Sequence, residues 1–189
     1  MKHDLLAILV GMAIVVGGVG PATASHEVVI GLQCDRTGAT QTVGVKLCPG
    51  YHDYIKLVNS KGGVGGHKIR AVEIDHEYKV PQGMEAYERH KKEGAVLIGI
   101  YGTPHTQALT QKLTEDRIPG TSPGFGTSAA ADGLRYPFIF PIAATYWSQG
   151  AAAVKFAGDQ MGGLKGKKIA YLFFDNPAEI GRASCRERV

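Results

Sequence analysis

Segments with strand character alternate with segments with helix character along most of this chain, and this alternation limits the fold more than any other feature. The strand-like segments are short apolar runs, such as residues 27–32 and 95–100. The helix-like segments repeat apolar side chains at intervals of three and four residues, as residues 51–58 do. The resulting β-α-β-α-β-α-β order predicts an α/β fold with a largely parallel sheet, helices on both faces and right-handed crossovers.

The same patterns give approximate positions for the elements. We expect strands over residues 27–32, 69–74, 95–100, 117–122, 136–142 and 168–174, and helices over residues 51–58, 80–87, 103–113 and 147–161. Ligands of parallel α/β sheets bind beyond the carboxyl ends of the strands. The candidate ligand loops are therefore residues 33–43, 101–106, 122–132 and 143–149.

One of these loops has the features of an anion site. Thr103 followed by Pro104 predicts a helix start, with the threonine as N-cap and the proline at the first helical position. Free backbone N–H groups, a partial positive charge and a hydroxyl at such a start favour a carboxylate. The loop over residues 122–128 adds further N–H and hydroxyl groups, although ordinary capping and turn chemistry would explain the same residues.

Both ends of the chain are expected to lie outside the fold. Residues 1–24 have the apolar run and the small residues Ala22 and Ala24 of a signal peptide cleaved after Ala24, and a membrane anchor is the alternative. Residues 179–189, EIGRASCRERV, match the translation of a common short-read sequencing adapter, so we expect them not to be native. Once Cys185 is set aside with that tail, Cys34 and Cys48 remain as a disulfide candidate or two free thiols.

Several kinds of chemistry find no support. The net charge of +4 is mild and forms no basic block, which argues against nucleic-acid binding. The glycines of residues 62–66 fit neither nucleotide-binding pattern and are interpreted as a tight turn between a helix and a strand. The seven histidines lack metal-ligand spacing and are interpreted as solvent-exposed, with His105 in a candidate ligand loop. No nucleophile elbow occurs, so we expect neither catalysis nor a metal or cofactor.

Several segments together resemble a known family. The sequence DRTGAT follows the first strand, and NSKGGVGGHKI joins a helix to the second strand. The segments IGIYGT, IPGTSPG and YWSQG follow in order. Over residues 27–178 the chain resembles the periplasmic leucine/isoleucine/valine-binding proteins, the substrate-binding proteins of branched-chain amino-acid ABC importers.

The resemblance implies a domain organisation and a function. Residues 25–141 would form the N-terminal ligand-binding lobe, and residues 142–178 would begin a second lobe after a hinge. Ligand would bind in the cleft as the lobes close. The expected protein is a periplasmic, monomeric solute-binding protein that hands an amino acid or similar molecule to an ABC permease in the membrane.

The resemblance also implies a set of site residues. Thr103 would hold the ligand carboxylate and the Gly124 carbonyl would accept from the ammonium group. Thr127, or Gly126 if one residue is inserted, would bind both groups. The complete expected ligand-binding set is Tyr101, Gly102, Thr103, Gly124, Phe125, Gly126, Thr127, Tyr146 and Trp147. Val43 occupies a position where the family often has an aromatic residue, which leaves the identity of the ligand open.

Two other interpretations remain. A ligand-sensing domain of a receptor or regulator would have the same fold. A nucleotide-dependent enzyme would need a phosphate-binding glycine pattern directly after the first strand, where this chain has CDRTG.

Overall fold

A computed structural model describes residues 27–123, 128–168 and 170 of the chain. Five parallel strands form one sheet in the order β2-β1-β3-β4-β5. The strands are β1 Val28–Cys34, β2 Ile69–Asp75, β3 Leu97–Gly99, β4 Gly120–Ser122 and β5 Ile139–Pro141. The predicted α/β class with a parallel sheet is confirmed.

Four α-helices accompany the strands, and a short 3-10 helix, Ser128–Ala131, follows β4. They are α1 Gln41–Ser60, α2 Val80–Lys92, α3 Thr103–Asp116 and α4 Tyr146–Gln160. Helix α1 begins at Gln41, ten residues before the start that periodicity predicted. The pattern missed the first half of the helix because Val43 and Val45 are exposed there, so this half has no apolar stripe. The expected signal peptide, the adapter-like tail and most of the expected strand over residues 168–174 lie outside the described residues.

The two faces of the sheet are covered differently. On β1, Gly31 packs against His90 of α2 and Gln33 donates to the Gly83 carbonyl of α2, whereas Cys34 points to α1. Helices α2 and α3 therefore share one face and α1 covers the other, as right-handed crossovers require. The apolar core lies on the α2–α3 face and comprises Val29, Tyr87, Ala95, Ile98, Ile100, Leu109, Leu113 and Ile139.

Helix α1 is attached to the sheet at one covalent point. A disulfide joins Cys34, the last residue of β1, to Cys48, with 6.3 Å between the Cα atoms and both side chains fully buried. Pro49 follows at once and removes one helical hydrogen bond. At Gly44 the helix crosses so close to the loop after β1 that a Cβ atom would lie 1.8 Å from the Asp35 carbonyl oxygen.

The glycine-rich segment after α1 is a turn. Gly62 has a φ of 106°, and the N–H of Gly63 donates to the Val58 carbonyl, which ends the helix. Val64 and His67 then exchange two backbone hydrogen bonds around Gly65 and Gly66, which have φ values of 56° and 85°. Two consecutive positive φ values are typical of a tight hairpin turn and favour glycine.

Among the described residues, no helix combines the length and apolar character required to cross a membrane.

The disulfide should make a measurable contribution to stability. Reduction, or the double substitution Cys34→Ser and Cys48→Ser, should lower the free energy of unfolding by about 3 kcal/mol, the value typical of a closed loop of about 15 residues. Urea unfolding of the purified, oxidised protein with and without dithiothreitol would measure the change. The double variant should show no response to dithiothreitol, and an equal midpoint for oxidised and reduced wild type would contradict the prediction.

Candidate functional site

The candidate site lies at the carboxyl edge of the sheet, where the loops after β1, β2 and β3 meet the start of α3. This edge is where parallel α/β sheets bind ligands, because helix N-termini point toward it and side chains from several loops converge there. Three of the expected residues, Tyr101, Gly102 and Thr103, follow β3 directly. All three are buried.

The start of α3 differs from the expectation in one respect. Thr103 is not the N-cap: Gly102 occupies that position, with a φ of 104° and a ψ of 135°, and Thr103 is the first helical residue. A positive φ favours glycine there, which frees the threonine from capping. Thr106 donates to the Gly102 carbonyl through both its N–H, at 3.0 Å, and its hydroxyl, at 2.9 Å.

The Thr103 hydroxyl is an orphan group of this site, as are both ring nitrogens of His105 within the described part of the chain. The residue is 2% exposed, and its Oγ1 has no hydrogen-bond partner within the described part of the chain. A buried polar atom without a partner costs about 1–3 kcal/mol, so such atoms need an explanation. Here the hydroxyl stands in the first turn of a 14-residue helix, where the partial positive charge favours an anion.

Tyr101 connects this helix start to the loop after β1. Its side chain is 3% exposed, and its hydroxyl donates to the Thr40 carbonyl at 3.3 Å. Burial raises the pKa of this phenol, so it remains protonated at neutral pH. The Tyr101 carbonyl accepts a hydrogen bond from Nε2 of His76 at 2.9 Å, which brings in the loop after β2.

The loop after β1 is organised by the buried carboxylate of Asp35. One oxygen accepts from the Gly38 N–H at 2.6 Å, and the other accepts from the N–H and the hydroxyl of Thr40, each at 2.7 Å. The hydrogen bonds of the carboxylate therefore stabilise its own loop. It fixes the Thr40 carbonyl that Tyr101 contacts.

Three histidines that were interpreted as solvent-exposed are buried instead. His76 and His90 are 0% exposed and His105 is 1% exposed. Two of the imidazoles lie beside glycines, which supply the room that a Cβ atom would occupy: His90 packs on Gly31, and His105 packs on Gly83 and Gly102. Sequence spacing gave no sign of this, because Gly31 and Gly83 come from other elements of the fold than the histidines that pack on them.

The imidazoles of His76 and His105 stack at the base of the site. Their ring centroids are 3.9 Å apart and their planes differ by 14°. Nδ1 of His76 accepts the Tyr78 N–H at 3.0 Å, so Nε2 carries the proton that is donated to Tyr101. Burial lowers the pKa of both rings, and with a further contribution from His76 the pKa of His105 falls to about 4. Both rings are neutral at pH 7.

Tyr78 joins this group, although no pattern in the sequence indicated it. Its ring lies 5.3 Å from the His105 ring and 6.3 Å from the Tyr101 ring, both in edge-on arrangements. Tyr146, the first residue of α4, is 7% exposed and lies close enough to raise the pKa of Tyr78. Helix α4 thus begins one residue before Trp147, and Thr145 caps it by accepting the Ser148 N–H at 3.4 Å.

The expected set is therefore only partly assembled in the described structure. Tyr101, Gly102, Thr103 and Tyr146 lie at one place, together with the additional residues His76, Tyr78 and His105. The Trp147 side chain is half-buried, and among the described residues it makes no ring contact with this cluster. The remaining members of the set, Gly124, Phe125, Gly126 and Thr127, lie outside the described residues.

Comparison with known proteins places the chain among binding proteins of one family. Residues 27–187 match the periplasmic binding protein family. The Leu/Ile/Val-binding protein homolog 1 of Brucella abortus (strain 2308) is 31% identical over 117 residues, which are 61% of this chain and 31% of that protein. The chain thus matches about a third of the length of this curated relative.

Solved structures share the fold. An ABC transporter permease from the Pseudomonas fluorescens group superposes with a TM-score of 0.71 and 33% identity, covering 85% of this chain and 40% of that one. The substrate-binding protein LivJ of Streptococcus pneumoniae, solved with isoleucine, superposes with a TM-score of 0.64 and 16% identity, covering 72% and 39%. The second likeness shows the fold alone.

The neutral, buried histidines should make the stability of the protein depend on pH. Because the pKa of His105 is near 4 in the folded state and near 6.5 when unfolded, the unfolded chain binds more protons between these values. Stability should therefore be complete above pH 6.5 and should fall as the pH drops toward 4, by up to about 3 kcal/mol for this residue. Melting temperatures measured from pH 7.5 to 4 would show the decline.

The variant His105→Gln should make this decline shallower, since glutamine does not titrate, while His90, whose pKa burial also lowers to about 4, keeps its own contribution. The exposed His67→Gln is the matched control and should keep the wild-type profile. A His105→Gln protein whose melting temperature falls as steeply as that of the wild type would show that His105 is not responsible.

Proposed function

Because this chain belongs to the periplasmic binding protein family, we propose that it binds an amino acid or a related small molecule outside the cytoplasm and delivers it to an ABC permease. The proposed role is binding without catalysis. Residues 142–178 would start the second lobe, and ligand would select the closed arrangement of the two lobes by a hinge motion.

The observation that carries this proposal is the unpartnered hydroxyl of Thr103 at the N-terminus of α3. A ligand carboxylate placed there would accept a hydrogen bond from the hydroxyl and would face the positive end of the helix dipole. Such hydrogen bonds to charged groups contribute about 1.5–3 kcal/mol. Among the surrounding groups, the imidazoles are neutral and the phenols of Tyr78 and Tyr101 are protonated, while the Asp35 carboxylate accepts three hydrogen bonds within its own loop.

An amino acid also brings an ammonium group, which needs acceptors. We propose that the Gly124 carbonyl and Thr127 supply them, with Gly126 as the alternative to Thr127 and with Phe125 and Trp147 shaping the pocket. The tyrosine rings could add cation–π attraction of about 0.5–2 kcal/mol each. The Brucella relative is named as a Leu/Ile/Val-binding protein homolog, which supports an amino acid as the ligand class.

The proposal is tested on the full-length product of the gene, exported and purified, against the twenty amino acids in a thermal-shift screen followed by isothermal titration. A saturable rise in melting temperature with at least one amino acid is expected. Thr103→Ala should then weaken binding of that amino acid by about 10–100-fold, the equivalent of one charge-assisted hydrogen bond. Thr103→Ser should keep most of the affinity, because it keeps the hydroxyl.

Thr114→Ala is the matched control, since Thr114 lies on the same helix but donates to the Thr110 carbonyl, away from the site. Its affinity should equal that of the wild type. Wild-type affinity in Thr103→Ala, or equally tight binding of the amide of the same amino acid, would contradict a carboxylate at this position. The absence of any response to amino acids would favour a sensing domain for another class of ligand.

A further inference from the structure

We propose that Tyr78 determines which ligands fit this site, by forming the wall of the carboxylate pocket on the side of the loop between β2 and α2. This inference rests on the proposed function, because it concerns the size of the group that a bound amino acid places beside its carboxylate. Nothing in the sequence patterns pointed to this residue. Its position depends on the backbone of its loop and on the packing of its ring.

The backbone of the loop after β2 is held in an unfavourable conformation. Glu77 and Tyr78 are consecutive residues other than glycine with φ values of 52° and 57°. The left-handed region costs about 1–2 kcal/mol for each such residue. The conformation is maintained by Asp75, which accepts the Glu77 N–H at 3.0 Å, and by His76, which accepts the Tyr78 N–H at 3.0 Å. Strain of this kind is concentrated at functional sites.

The strained turn places the Tyr78 ring against the first residues of α3. A Cβ atom added to Gly102 would lie 2.8 Å from Cε2 of Tyr78, so the ring packs directly on the N-cap of the helix. The next residue, Thr103, carries the orphan hydroxyl. The edge-on contacts with His105 and Tyr101 fix the ring from two further directions. A carboxylate bound at Thr103 would therefore meet the Tyr78 ring as its neighbour.

The same side chain also carries a hydroxyl group that stays protonated. Tyr78 is partly exposed, unlike the buried Tyr101. Burial, with smaller contributions from Tyr146, Tyr101 and Asp35, raises the pKa of this phenol to about 12. A phenol that stays protonated can donate a hydrogen bond to ligand, while its ring excludes larger groups.

Substitutions in the full-length protein can measure the contributions of the ring and of the hydroxyl separately. Tyr78→Ala should enlarge the pocket, so the ratio of the affinity for L-phenylalanine to the affinity for L-alanine should rise by about tenfold or more, in the range typical of pocket-size discrimination. Tyr78→Leu, a milder truncation, should raise the same ratio by less. Tyr78→Phe should leave the ratio unchanged and weaken both amino acids by a similar factor.

The exposed Tyr54→Ala, on the outer surface of α1, is the matched control and should match the wild type with both amino acids. An unchanged ratio in both truncated variants, or an equal loss of both affinities, would show that Tyr78 only supports the turn, and the inference would fail while the proposed function stood. A wild-type protein that binds neither amino acid, nor any other in the screen, would overturn the proposed function and this inference together.

Discussion

The hydrogen bond from His76 to the Tyr101 carbonyl joins the loop after β2 to the loop after β3, and the geometry of the candidate site depends on it. The same ring accepts the Tyr78 N–H and stacks on His105, so one neutral imidazole holds three residues of the site at once. A charged imidazole could not do this, because its Nδ1 would carry a proton and could not accept the N–H.

Glycines make this arrangement possible by allowing close approach between elements. Gly83 of α2 and Gly102 before α3 both leave the space that His105 occupies, and Gly31 of β1 does the same for His90. Larger side chains would force α2 and α3 away from the sheet, since the interior is close-packed. The core on the α2–α3 face and the site at the edge of the sheet are thus parts of one packed layer.

Acidic side chains at the ends of β1 and β2 fix the neighbouring loops. Asp35 is saturated by Gly38 and Thr40, while Asp75 accepts the N–H groups of Arg36 and Glu77 and the hydroxyl of Thr37. Beside them, the Glu73 carboxylate accepts hydrogen bonds from Arg36 and His52. The carboxylates therefore stabilise the loops, while the imidazoles and phenols of the site are neutral.

The sequence by itself determined the order of strands and helices, the parallel α/β class, the turn over residues 62–67 and the position of Thr103 after β3, because these depend on local periodicity and on glycine and proline preferences. It placed the start of α1 too late, since Cys48, Gly44 and the Asp35 loop fix that helix through contacts across the chain. It also gave Thr103 the capping role that belongs to Gly102. Only the tertiary structure decided that His76, Tyr78 and His105 belong to the site, because stacking and burial depend on residues brought together by folding, and one-dimensional spacing does not record them.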